Sequence, residues 1–187
     1  MASSNNVRDD FLLNNVPSCV DGIVSMKPKN CNQYAMRDYA MKVLKTVFSL
    51  PSPTLCTFII NTDYTSKLGN LLESSDLNDI QIGAQGLKSH LSLPMGVNYV
   101  CSVPGRINFM LTQLNKATKT MLERTSDHII GIIVACYQKI AADRRSNGYS
   151  PEKVHPSILD DTFLEPLKRA RARRFRQPRI INQIVHQ

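Results

Sequence analysis

The distribution of charge along the chain is the feature that most constrains what this sequence can fold into. All fifteen acidic residues lie at or before Glu165, whereas seven of the 23 basic residues follow it. Residues 1–165 therefore carry a formal charge of +1, and residues 166–187 carry +7. A segment with so many like charges cannot bury a face. The sequence therefore predicts a nearly neutral folded body followed by a cationic tail.

Length and composition fit one folded body with tails. The chain has 187 residues, of which 42% are hydrophobic and 20% are charged, and this is enough for one sizeable core. Its longest nearly apolar stretch, residues 128–137, is shorter than the roughly 18 residues of a membrane-spanning helix. No leader is recognisable, and five cysteines without a Cys-x-x-Cys pair indicate reduced thiols. We expect a soluble intracellular protein of the cytoplasm, with the nucleus as a second compartment.

The apolar pattern predicts a mainly α fold, with a helical core and a few short strands; an α+β arrangement is the alternative. Helices are predicted over residues 34–48, 66–72 and 105–121, and from a cap at residue 126 or 127 to residue 144. The last of these is expected to be the central buried helix. Short strands are predicted at residues 55–60, where a helix is the alternative, and at residues 97–103. Glycines and prolines between residues 73 and 96 favour turns.

Four regions follow from these patterns. Residues 1–32, rich in Asn, Ser and Pro, are predicted to form a flexible, loosely packed N-terminal arm. Residues 33–149 form the globular, mainly helical body, and residues 150–165 form a linker that prolines interrupt. Residues 166–187 form the arginine-rich C-terminal tail.

The tail indicates a polyanionic partner. Guanidinium groups stay charged and offer forked donors to phosphate, and neutralising several phosphates releases condensed counterions. Phe175, which lies among the arginines, can stack on an exposed base, and single-stranded RNA offers such bases more readily than a duplex does. RNA is therefore favoured over DNA. The predicted nucleic-acid-binding residues are Lys168, Arg169, Arg171, Arg173, Arg174, Phe175, Arg176 and Arg179.

Two features of the body also bear on nucleic-acid binding. Arg106, Lys116 and Lys119 share the polar side of the helix after Pro104 and form a second candidate patch, although such a set is usually just a solvated face. Gly83-x-x-Gly86 has the spacing of the loop that clamps the nucleotide backbone in KH domains. Its two middle residues carry no positive charge, so an ordinary turn is preferred.

An apolar stripe follows the arginines and indicates a homo-oligomer. Its members are Ile180, Ile181, Ile184 and Val185. A segment of about eight residues cannot form a stable helix alone. It therefore docks into a neighbouring subunit, or else it docks on its own body or frays.

No motif argues for catalysis or for a cofactor. The chain lacks the phosphate-binding loops, the nucleophile elbow and the metalloprotease helix motif. Its four histidines stand without partners at metal-ligand spacing. His128 is expected to cap or pack a helix, because Cys136 lies two turns away from it. We therefore expect no enzymatic activity, no cofactor and no bound metal.

By charge layout alone, the chain resembles small viral nucleocapsid, coat or matrix proteins, which is an analogy and not a similarity of sequence. The sequence thus predicts a non-enzymatic, self-associating RNA-binding protein of that type. One alternative is a regulatory or interaction protein whose basic tail is a nuclear localisation signal for an import receptor. Another is a peripheral, matrix-like protein on an anionic membrane surface. The membrane is less favoured because Phe175 is the only large apolar residue among the arginines.

Overall fold

A computed structural model describes residues 2–124, 126–143, 145 and 156. Within these residues the fold is mainly helical and contains no strand, which confirms the predicted mainly α class and makes the few short strands wrong there. Between residues 2 and 143 the helices are α1 (Ala2–Leu13), α2 (Val16–Val24), α3 (Cys31–Val47), α4 (Pro53–Asn61), α5 (Tyr64–Leu72), α6 (Leu77–Leu91), α7 (Pro94–Cys101), α8 (Pro104–Glu123) and α9 (Asp127–Ala141). In the described part of the chain, no helix is both long and apolar enough to cross a membrane.

The four helices predicted from periodicity are present as α3, α5, α8 and α9. Each has a buried stripe at helical spacing; in α8 the stripe includes Ile107, Met110, Leu111 and Leu114. The first half of α9 is buried on most sides, as its apolar sequence indicates. Long, regularly spaced stripes therefore identified their helices correctly.

Both predicted strands are helices. Residues 55–60 belong to α4 and residues 97–101 to α7. Each helix has a proline in its first turn, where the missing N–H is not needed. Ser52 caps α4, because its hydroxyl accepts a hydrogen bond from the Leu55 N–H at 3.1 Å. In α7 the buried residues are Gly96, Val100 and Cys101, a spacing that fits a helix and not an alternating strand.

The region predicted to hold turns contains α6. Asp76 caps this helix by accepting a hydrogen bond from the Asn78 N–H at 2.8 Å. Gly83 and Gly86 lie inside the helix, against α5. A Cβ atom at Gly83 would lie 2.7 Å from the carbonyl oxygen of Leu68, and one at Gly86 would lie 2.6 Å from Leu68 Cδ2. These glycines therefore form neither the predicted turn nor a nucleotide clamp; they allow two helices to pack closely.

The N-terminal residues also depart from the predicted loosely packed arm. Residues 2–13 and 16–24 are helical, and Leu12 and Val24 are only 3% and 5% exposed. Arg8 donates a hydrogen bond to the Leu50 carbonyl at 3.2 Å, which ties α1 to the turn after α3. Each short apolar piece supplies one or two residues to a shared core, and this is enough to hold the segment on the body. The boundaries between the four predicted regions, after residues 32, 149 and 165, stay predictions.

Two buried clusters form the core, and α6 contributes to both. The first cluster joins α6, α7, α8 and α9 through residues such as Leu87, Leu114 and Ile133. The second joins α1 to α5, and Ile82 of α6 packs into it. The helix that the sequence did not reveal is therefore central to the fold, together with α9.

His90, near the end of α6, is fully buried. Its ring lies edge-on to Tyr99, with the ring centroids 6.0 Å apart. Neither ring nitrogen has a hydrogen-bond partner within the described residues. Burial lowers the pKa of His90 to about 4, because the charged imidazolium would lose its hydration there.

Replacing Gly96 by alanine should destabilise the fold strongly. The added Cβ would overlap the backbone carbonyl of His90, and backbone cannot move as cheaply as a side-chain end. We expect a loss of about 3 kcal/mol or more. Gly22→Ala is the matched control, because nothing lies within 4 Å of its Cβ position; it should stabilise α2 by up to about 1 kcal/mol. Urea denaturation measures both, and equal effects would contradict the packing described for Gly96.

Stability should fall in mild acid because of His90. The unfolded state binds the proton near pH 6.5, whereas the folded state binds it only near pH 4. The contribution of neutral His90 is therefore complete above 6.5 and is lost as the pH falls to about 4, a total of about 3 kcal/mol. In His90→Phe this dependence should vanish. Denaturant unfolding across that window tests it: a constant difference between the two proteins would show that His90 does not titrate as described.

Candidate nucleic-acid interface

The predicted nucleic-acid-binding residues of the tail, Lys168 to Arg179, lie outside the described residues. The same holds for the predicted oligomerisation residues Ile180, Ile181, Ile184 and Val185. Their roles stay predictions.

The second predicted patch lies on α8, where the structure separates its members. The guanidinium of Arg106 stacks 3.8 Å from the ring centroid of Tyr99 and donates a hydrogen bond to the Tyr99 carbonyl at 3.1 Å. Lys116 pairs with Glu73 at 2.5 Å, and its hydrogen bond lowers the pKa of that carboxyl. Lys119 is exposed. Arg106 lies about 15 Å along the helix axis from Lys116, so the three residues do not form one compact patch.

The sequence pattern did not reveal the exposed side of α3. Tyr34, Met36 and Tyr39 are 62%, 51% and 68% exposed. Met36 and the half-buried Val43 lie outside the buried stripe of α3, which consists of Ala40, Met41, Leu44 and Val47. One feature of the sequence could have indicated this exposed side: α3 carries more apolar and aromatic residues than one buried face requires.

A cleft of about 800 Å³ lies among α2, α3, α5 and α6, and Asp21 lines one of its walls. The hydroxyl of Tyr64 donates a hydrogen bond to Asp21 Oδ1 at 2.5 Å, and Lys67 pairs with Oδ2. Burial, together with the Asp21 carboxylate, raises the pKa of Tyr64. The acid in this wall is therefore held by two partners from α5.

Arg37 also lines this cleft and forms a branched ion pair. Its Nη2 donates to both Asp79 oxygens at 2.7 and 2.9 Å, and its Nη1 donates to Asp76 at 3.3 Å. Its Nε donates to the Val24 carbonyl at 2.9 Å, and Ser74 donates to Asp79 at 2.7 Å. The side chains of Arg37 and Asp79 are 20% and 10% exposed. One guanidinium thus joins α2, α3 and the start of α6.

A smaller cleft of about 250 Å³ adjoins the first, and both are lined by Tyr34 and Arg37. Lys42 pairs with Asp38 at 2.6 Å, and Lys45 donates a hydrogen bond to Gln81 at 3.2 Å. An exposed ring among lysines suits stacking on a single-stranded base. Nearby aspartates such as Asp38 offset much of the positive charge of this surface, which makes it less suited to a polyanion.

An apolar groove of about 310 Å³ lies between α1 and α3; we call it the α1–α3 groove. Val7 and Phe11 line it from α1, and Tyr39 and Val43 line it from α3. Val7 and Phe11 are 54% and 41% exposed. Contiguous apolar surface of this kind is characteristic of sites that bind another protein segment.

The residues considered for nucleophilic chemistry are not brought together. Cys136 is buried, and burial raises its pKa to about 12, which disfavours the reactive thiolate. His128 lies exposed at the start of α9. Among the described residues, no group of three or more His, Cys, Asp and Glu side chains is arranged to hold a metal ion.

Comparison with known proteins gives no relative: the chain matches no family model, and no curated protein is detectably similar to it. Its function must therefore be inferred from its own residues and their arrangement.

Removing Arg37 should destabilise the fold, because Asp79 would then keep a largely buried charge without its partner. We expect Arg37→Ala to lower the free energy of unfolding by about 3 kcal/mol. Arg37→Ala combined with Asp79→Ala should lose less than the sum of the single losses. Lys42→Ala, which breaks an exposed pair, should have far less effect. Additive losses in a denaturation double-mutant cycle would show that the two side chains do not interact as described.

Proposed function

We propose that the protein is a non-enzymatic, self-associating RNA-binding protein of the viral nucleocapsid, coat or matrix type. In this proposal, residues 168–179 bind the phosphate backbone and the helical body supplies assembly. The observation that carries it is the separation of charge, because residues 166–187 hold +7 and contain no acidic residue. Forked guanidinium donors at this density fit a repeating phosphate chain.

The ion pairs of the body support this proposal. The described residues contain eleven acidic side chains, and at least seven of them pair with basic side chains of the body. Most acids of the described residues are therefore already engaged within the body. These acids compete less for the tail's positive charge, which supports its attraction to an external polyanion.

The expected mode of binding has little sequence preference. Contacts to phosphate position a protein on nucleic acid, whereas specificity requires contacts to base edges. Phe175 adds stacking, which every base can provide and which favours single strands. The exposed apolar surface of α1 and α3 supports the self-association part of the proposal, since a partner copy would cover it.

Salt titration of RNA binding tests the role of the tail. For single-stranded RNA, each engaged phosphate contributes about 0.7 to the slope of log affinity against log salt. Changing Arg171, Arg173, Arg174 and Arg176 to glutamine should therefore lower the slope by about 3. The measurement is fluorescence anisotropy of a labelled oligoribonucleotide with the full-length chain.

The matched control removes the same charge from the body, by changing Lys27, Lys29, Arg124 and Lys139, which are all exposed, to glutamine. Its slope should change by less than about 1. Equal slopes for the two variants, or no binding by the intact chain at low salt, would contradict the proposal. The second result would favour the import-signal alternative, in which a few deep pockets bind the tail.

A further inference from the structure

The α1–α3 groove is an apolar surface without a cover among the described residues. Val7 and Phe11 of α1 face Tyr39 and Val43 of α3 across it, and Tyr39 is 68% exposed. Leaving such side chains in water forfeits the free energy that their burial would provide. A groove lined in this way fits an aliphatic segment better than it fits a phosphate chain.

The same chain carries an aliphatic segment that needs a partner. Residues 180–185 read IINQIV and contain four branched aliphatic side chains. A segment of this length gains too few contacts to hold a conformation by itself. The segment and the lining of the groove are both apolar, so burying one against the other would remove both from water.

We propose that the α1–α3 groove binds residues 180–185 of a neighbouring copy of the chain. Additional exposed apolar surface favours a segment supplied by a neighbouring copy over one supplied by the same chain. Tyr34 and Met36 of α3, which do not line the groove, are 62% and 51% exposed. A six-residue segment fills only the groove, whereas a neighbour brings its own body beside that surface.

The intervening chain is long enough for this exchange. Arg145 and Ile180 are 35 residues apart, which corresponds to about 115 Å when fully extended. A body of this size has a radius of gyration of about 15 Å. The segment can therefore reach an adjacent body without any rearrangement of the helices.

This inference rests in one respect on the proposed function. Residues 168–179 lie directly before the aliphatic segment. When several copies bind one RNA strand through these residues, the segment of each copy is therefore held close to the neighbouring copies. Copies bound side by side on RNA have a high effective concentration, and this favours exchange between neighbours over weak contacts in free solution.

The test compares association of full-length variants after nuclease treatment, at high salt, where phosphate contacts are weak but apolar contacts persist. Phe11→Asp alters the groove, and Leu13→Asp is its control on the same helix outside the groove. Ile181→Asp alters the segment, and Gln183→Asp is its control. Sedimentation should show that each altered chain associates about 30-fold more weakly than wild type, as expected from losing one buried large apolar side chain. Both controls should associate as wild type does.

Mixing the two altered chains decides between exchange and self-docking. The Phe11→Asp chain still has a normal segment, and the Ile181→Asp chain still has a normal groove. Exchange between copies therefore predicts that an equimolar mixture forms dimers when neither chain alone does. A mixture that stays monomeric, a monomeric wild type, or a Leu13→Asp control as weak as Phe11→Asp would overturn the inference.

RNA affinity of the same variants at low salt separates this inference from the proposed function. The Phe11→Asp chain should bind a short oligoribonucleotide with the affinity of wild type. The Ile181→Asp chain should bind it as the Gln183→Asp control does, because both add one negative charge close to the arginines. If the mixture stays monomeric while RNA binding is intact, only the proposal that the groove binds a neighbour's segment is rejected. Absence of RNA binding by the wild-type chain rejects the proposed function instead.

Discussion

The close packing of α5 against α6 determines how the two halves of the core meet. At Gly83 and Gly86 there is no space for a side chain, because Leu68 lies where each Cβ would be. This close approach lets α6 place Ile82 in one buried cluster and Leu87 in the other. A larger residue at Gly83 would meet the backbone carbonyl of Leu68 and push the two helices apart, whereas one at Gly86 would meet the end of the Leu68 side chain. The surfaces of α1, α3 and α8 depend on this arrangement, since all three helices pack directly or indirectly against α5 and α6.

Sequence reasoning succeeded where one helical face was long enough to show its period. The stripe of α8 from Ile107 to Met121 is an example, since polar residues fill its opposite side. It failed in α4, whose short apolar run is buried at Leu55, Cys56, Phe58 and Ile59, because a helix buried on several sides shows neither helical nor strand period clearly. It failed in α6 because glycine indicates a turn locally, whereas here its role depends on a neighbouring helix.

Some of the candidate sites could likewise be predicted from the sequence, and others could not. Charge separation is visible in composition, so the arginine-rich tail could be predicted without coordinates. The Arg37–Asp79 pair could not, because its members lie 42 residues apart and no local pattern links them. The α1–α3 groove was equally hidden, since Phe11 and Tyr39 belong to helices whose pairing only the fold defines. What escaped prediction was therefore contact between distant segments and not the chemistry of any one segment.

The ultraviolet spectrum of the freshly purified full-length chain tests the central claim most directly. With no tryptophan and six tyrosines, the protein absorbs weakly, so bound nucleic acid would dominate its spectrum. The account predicts a nucleic-acid maximum at low salt that high salt removes, and its absence when the seven basic residues after Glu165 are changed to glutamine. A protein-only spectrum for the intact chain at low salt, or equal nucleic-acid absorbance in the glutamine variant, would contradict it.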